Sequence, residues 1–217
     1  MMRNVITALI FMIIAAASSA QSPEVLKAKS ILDKVASKTK SYSTIKADFT
    51  FTLENQQADV TDTHQGSIIL KGDKYKVNIM GTDSYFDGTT MWLHMIDANE
   101  VNITDPSMMD DEMLNPVTLF SNYEKGFNYI YDGETTINGK VVDIIDLFPS
   151  QRDKSYSRIK LYFNRDNRQI ARVKQVGKDG NNYIIDVNSM VVNTPVDDST
   201  FHFDPLKHPG VEVIDLR

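Results

Sequence analysis

The chain has 217 residues, a formal charge of −6 and no cysteine. The missing cysteines exclude disulfides and thiolate metal sites. An acidic balance with scattered Lys and Arg argues against nucleic acid and against an anionic membrane surface as partners. Beyond a leader, the length suits one large domain that buries a core without staples.

Residues 1–20 read as a secretory signal peptide. Arg3 gives a positive start, Ile6 to Ala17 is apolar except for Thr7, and Ser18 and Ala20 stand at −3 and −1 of a cleavage site. The run is shorter than the roughly 20 apolar residues of a membrane span. Residues 21–217 are then the exported domain. With no Cys to carry a lipid, a soluble protein of the periplasm is expected.

The first element is a helix, "SPEVLKAKSILDKVASKTKSY", with Ser22 as N-cap and Pro23 at the first helical position. Val25, Ala28, Leu32, Val35 and Ala36 form its apolar stripe. The pattern then turns to period two. "ADFTFTLEN" alternates Phe49, Phe51 and Leu53 with Asp48, Thr50 and Thr52, and residues 55–65 read as a polar loop. "GSIILKGDKYKVNIM" predicts two strands about Gly72-Asp73, with Tyr75, Val77 and Ile79 on one face.

"YFDGTTMWLHM" predicts a hairpin with a type I′ turn at Asp87-Gly88. In its second strand Met91, Leu93 and Met95 share one face, and Trp92, His94 and Ile96 the other, so neither face is cleanly polar. The first trio is expected to face a cavity, the second the rim or outer surface.

Residues 105–123 break the β pattern. "DPSMMDDEML" and "NPVTLFSNY" each open with an N-cap residue followed by Pro and predict two short helices. Strands resume afterwards, with a second type I′ signal at Asn138-Gly139 and further turns at 165–168 and 178–180. Short, regularly spaced strands joined by hairpins predict a mainly β (α+β) chain. Its single antiparallel, strongly curved sheet has about nine to eleven strands, a count taken from turn spacing. The helices are available to cover the apolar face.

No catalytic set emerges. His64, His94, His202 and His208 lack metal-ligand spacing, and there is no nucleophile elbow and no phosphate-binding loop. Three acids in "MDDEM" read as the wet side of a short helix. What remains is methionine: of ten, five lie between residues 91 and 113. This residue suits surfaces that adapt to varied apolar partners, and equally suits core filling.

The order of these pieces resembles the LolA-like outer-membrane lipoprotein carriers. The helix runs into "SYSTIKADFTFTL"; "GSIILKGDKYKV" is similar to the family's first hairpin, "YFDGTTMWLHM" to its Asp-Gly-x-Thr-Leu-Trp strand, and "FHFDPLKHPGVEVID" to its ending. The resemblance covers nearly all of 21–217. It implies an unclosed half-barrel with a helical lid, and a carrier, not an enzyme, that needs no cofactor. Its partners would be acylated lipoproteins, an inner-membrane ABC transporter that releases them, and an acceptor at the outer membrane. A monomer is expected.

On that scaffold Phe49, Phe51, Tyr75, Val77, Ile79, Met91, Leu93 and Met95 are expected to line the cavity. Met109, Met113, Leu119 and Phe120 would form the lid. The family's lid-latching Arg falls on Lys71 or Gly72, and Lys71 keeps its charge without the planar fork. Two other readings stand beside this one. The first is a carrier or sensor of a glycolipid or fatty acid on the same scaffold. The second is an enzyme using His94 or His202, which would need a polar pocket with a histidine at its base.

Overall fold

The computed structural model describes residues 21–105 and 126–217. Residues 1–20, the expected leader, and nearly all of the expected helical pair at 105–123, including Met109, Met113, Leu119 and Phe120, lie outside these described residues. Helix α1 spans Pro23–Lys40, and the Ser22 side chain accepts from the Val25 amide at 3.4 Å, satisfying one of the orphan donors of the first turn. Its buried stripe is Ala28, Ile31, Leu32 and Val35; the sequence reading had missed Ile31.

Twelve strands form one sheet that does not close into a barrel. They are β1 (Ile45–Asn55), β2 (Val60–Lys71), β3 (Lys74–Ile79), β4 (Thr82–Phe86), β5 (Met91–Met95), β6 (Glu100–Thr104), β7 (Phe127–Ile137), β8 (Lys140–Pro149), β9 (Tyr156–Asn164), β10 (Ile170–Gly177), β11 (Asn181–Val192) and β12 (Glu212–Asp215). The spatial order is β12-β6-β5-β4-β3-β2-β1-β11-β10-β9-β8-β7. The result is a curved half-barrel whose two edges are β12 and β7.

Two expectations are corrected here. The twelfth strand comes from the C-terminal tail and pairs with β6 in parallel, so the sheet is not purely antiparallel. Its four residues, too short to show a period, are positioned by the chain that leads into them. Residues 60–65 are strand, not loop: Thr61 pairs with Glu54 and Thr63 with Thr52. There β1 and β2 project beyond the core, so the segment has no apolar face to signal a strand, and the backbone ladder holds it together with polar side-chain pairs such as Thr52 with Thr63 at 3.4 Å.

The turns decide the register. Asn138 and Gly139 both have positive φ, 50° and 74°, as a type I′ turn requires. The Asp87-Gly88 hairpin is real but built differently. Phe86 pairs with Met91, leaving a four-residue loop in which the Asp87 carboxylate accepts from the amides of Thr89 and Thr90, both at 2.9 Å. A side chain that mimics a backbone turn removes the need for φ > 0 at Asp87.

The tight turn that the sequence hid is Met80-Gly81, φ 51° and 71°, joining Ile79 to Thr82. Methionine is a poor left-handed residue, and that conformation costs an ordinary side chain about 1 kcal/mol. Met80 is 58% exposed, so packing offsets little of that cost. Met80→Asn is therefore expected to raise the unfolding free energy by about 0.5–1 kcal/mol in a urea titration.

Two apolar clusters lie on the inner face. One joins α1 to the half of the sheet from β7 to β11, through Leu32, Val35, Ile145, Leu161 and Phe163. The other occupies β1 to β5. Half-buried Ile185, Val187 and Met190 of β11 belong to both. A third cluster, Tyr85, Trp92, Val101 and Phe203, is on the opposite, outer face.

Candidate ligand-binding face

The inner cluster of β1 to β5 is assembled by alternation alone. Phe49 and Phe51 of β1 stand beside Val187 and Ile185 of β11, and Tyr75, Val77 and Ile79 of β3 project from the same side. Seven of the eight residues expected to line a cavity come together here: Phe49, Phe51, Tyr75, Val77, Ile79, Met91 and Leu93.

The eighth, Met95, is only half-buried and falls outside the cluster. Its ladder neighbours are Thr82 and Glu100. The inner face turns polar at that end, through Thr82, Ser84, Glu100 and Asn102. The apolar surface therefore fades along β5 from Met91 to Met95.

Gly66 on β2 sits opposite both Phe49 and Ile79. A Cβ built there would clash with the Cζ and Cε2 edge of the Phe49 ring and lie 3.0 Å from the Asn78 carbonyl oxygen. The glycine thus lets the Phe49 ring lie flat on the sheet, which is why this ring is only 7% exposed. Further out, Phe51, Val77, Ile79 and Leu93 are half-buried. Phe51 stacks on Tyr183, ring centres 6.2 Å apart, and Tyr75 meets Phe86 at 5.3 Å.

Polar chemistry in this face is sparse. The Tyr75 hydroxyl donates to the Met91 sulfur at 3.8 Å, and burial raises its pKa above the ordinary phenol. A thioether is a weak acceptor, so this hydroxyl keeps most of its capacity to pair with another group. Sequence reasoning missed Ile45, Ala47, Ile68 and Leu70, which complete the floor. Alternation in "STIKADF" and "GSIIL" could have found them.

Lys71 is tied to the C-terminal tail. Its ammonium donates to the Val196 carbonyl at 2.8 Å and to Asp198 at 2.6 Å, and Lys74 reaches the other oxygen of Asp198 at 2.7 Å. Hydrogen bonds from Lys71 and Lys74, reinforced by their charge, pull Asp198 down to about 2. The lid residues that Lys71 was expected to latch fall outside the described part.

The other side of β5 differs from expectation. Trp92 and His94 are 7% and 4% exposed, not at a rim, because the tail folds back over them. A 3-10 turn at Asp198–Phe201 leads the tail in, Phe203 inserts between Tyr85 and His94, and His208 stacks on Phe203 at 4.8 Å. Only Ile96 remains exposed. The outer side of β5 is apolar because the tail covers it, while Leu93 and Met95 on the inner side stay half-buried.

An enzyme built on His94 or His202 needs a polar pocket. Instead His94 stands among aromatic rings and His202 lies on the surface against Trp92. Among the described residues no three His, Cys, Asp or Glu side chains converge as a metal site, and no helix is long and apolar enough to cross a membrane.

Solved structures share this architecture at low identity. An uncharacterized conserved protein from Thermus thermophilus is 12% identical, with 87% of this chain and 99% of that chain covered and a TM-score of 0.59. A DUF1329 family protein from Desulfovibrio piger is 13% identical, with 85% and 100% covered and a TM-score of 0.50. A LolA superfamily protein from Nitrosomonas europaea is 14% identical, with 82% and 98% covered and a TM-score of 0.45. The first two likenesses show the fold alone. No curated protein sequence matches the chain significantly. Residues 40–204, from the end of α1 through the strands to Phe203 and Asp204 of the tail, match the family model described as outer membrane lipoprotein carrier protein LolA, and the protein belongs to that family.

Proposed function

We propose that the protein is a periplasmic carrier that holds the acyl chains of lipoproteins on the inner face of β1 to β5. Residues 1–20 would direct export and be removed, and residues 21–217 would act as one domain and as a monomer. Lipoproteins would be released to it by an inner-membrane ABC transporter and handed to an acceptor at the outer membrane. The observation that carries the reading is the inner row of Phe51, Val77, Ile79 and Leu93: half-buried apolar side chains continuous with a buried floor, in a sheet that does not close.

The physical problem is one of solubility. Each CH₂ of an acyl chain gains about 0.8 kcal/mol on leaving water. A carrier must match that surface and still let go. Half-exposed apolar side chains on a rigid sheet meet both demands, and the proposed role is binding, not catalysis.

Mass spectrometry of material extracted from the purified protein should find lipopeptide. A lipid without peptide would overturn the lipoprotein assignment and favour the glycolipid or fatty-acid reading. Leu93→Glu should reduce the amount of co-purified cargo at least about tenfold, because a carboxylate set against an acyl chain costs well over the 1.4 kcal/mol that a factor of ten represents. Circular dichroism should be unchanged, since Leu93 is not fully buried. Undiminished loading would remove this face from consideration.

A further inference from the structure

His94 is 4% exposed and neither ring nitrogen has a hydrogen-bond partner. A buried imidazole without a partner is uncommon, since burying such a group unpaired forfeits its hydrogen bonds to water with no replacement. Two rings from the tail pack against it: Phe203, with ring centres 5.0 Å apart, and His208, at 4.5 Å. Two imidazoles thus face each other across the joint between β5 and the tail. We propose that the tail beyond Asp198 is a pH-released clasp, docked on the outer face of β4 to β6 near neutral pH and freed in mild acid when the buried His94 gains a proton.

Every charged group around the joint bears on this. Burial holds His94 below the ordinary imidazole range, the charge of His208 adds to that, Lys76 adds a little, and Asp83 opposes. Asp83 is already occupied by the Asn78 amide at 2.6 Å, the Tyr85 hydroxyl at 3.1 Å and Lys76 at 3.6 Å. His202 pulls the other way, because a proton on it would strengthen its 3.8 Å pairing with Asp87. That pair is exposed, and such pairs contribute little.

The sign follows from linkage. The docked state binds a proton on His94 less readily than the undocked state, so docking weakens as pH falls below about 6.5, the ordinary value for histidine. Asp198, held at about 2, stays charged throughout that window. Its contacts with Lys71 and Lys74 persist as the hinge, and the arm from His202 onward is what leaves. Release would uncover Trp92 and free β6 of its parallel partner β12.

The test uses residues 21–217 and two backbone reporters. The Glu212 amide donates to the Asn99 carbonyl at 3.0 Å and the Leu216 amide to the Ile103 carbonyl at 2.8 Å, bonds that exist only while the tail is docked. Hydrogen-exchange protection factors at both should fall at least about tenfold between pH 7.5 and 5.5, while those of Leu161 and Val173 in the α1 core stay high. Emission of the only tryptophan, Trp92, should shift to the red over the same range. His94→Phe should abolish both changes, and His208→Gln should shrink them. His202→Gln should preserve the red shift, which separates release from simple quenching by a neighbouring imidazolium. Protection retained at pH 5.5, or lost equally in His94→Phe and His208→Gln, would overturn the clasp.

Discussion

Leu32→Ala is expected to lower the unfolding free energy by about 2–5 kcal/mol, the range for emptying a packed apolar site. Leu32 is fully buried, one of four buried residues on α1, and faces the cluster built from Ile145, Leu161 and Phe163. The helix cannot bury this stripe on its own, and the strands from β7 to β11 have no other described element packed across them. Each side thus supplies what the other lacks, and the loss cannot be recovered by a small collapse. A guanidinium titration should show a lower midpoint at unchanged slope. Leu26→Ala, on the 54% exposed side of the same helix, should stay within about 0.5 kcal/mol. A loss below 1 kcal/mol for Leu32→Ala would mean that α1 is peripheral to the core.

Phe203→Ala should have an effect of similar size, about 3–5 kcal/mol by the usual cost of truncating a buried aromatic. Phe203 is 2% exposed and touches Tyr85, His94 and His208, with ring separations of 5.8, 5.0 and 4.8 Å. The loss falls on docking of the tail before it falls on the whole molecule, because a four-residue strand and two 3-10 turns have little else to hold them. In this variant Trp92 should therefore emit as an exposed residue at pH 7.5, where the parent protein emits as a buried one. Parent-like emission would show that the hinge and β12 suffice to keep the tail in place.

How legible the molecule is from its residues varies with position. Alternation in "ADFTF", "KYKVNI" and "MWLHM" puts all eight expected residues on one side of the sheet, because side chains of a strand point up and down by turns whatever the surroundings. The same rule cannot show that Met95 falls outside the apolar cluster, because its neighbours Thr82 and Glu100 come from other strands. Turn chemistry was legible where Asn-Gly satisfied the backbone unaided. It misled at Asp87-Gly88, where a carboxylate did the turning, and was silent at Met80-Gly81, where a residue ill suited to the conformation is held there by the pairing on either side.

From its residues alone this protein declared a cysteine-free, mainly β chain with one amphipathic helix and a continuous apolar side along its first strands. Those are local properties, set by charge, by capping at Ser22 and by a period of two, and they need no knowledge of what lies opposite. The tertiary structure decided the rest: that α1 covers only the β7 to β11 half, and that Lys71 serves the tail. It also decided that Trp92 and His94 are interior. Each of these depends on which distant segment arrives, and β5 received the tail from more than a hundred residues away. A strand with two apolar faces records that neither is simply wet; only the folded chain shows that the tail covers the outer one.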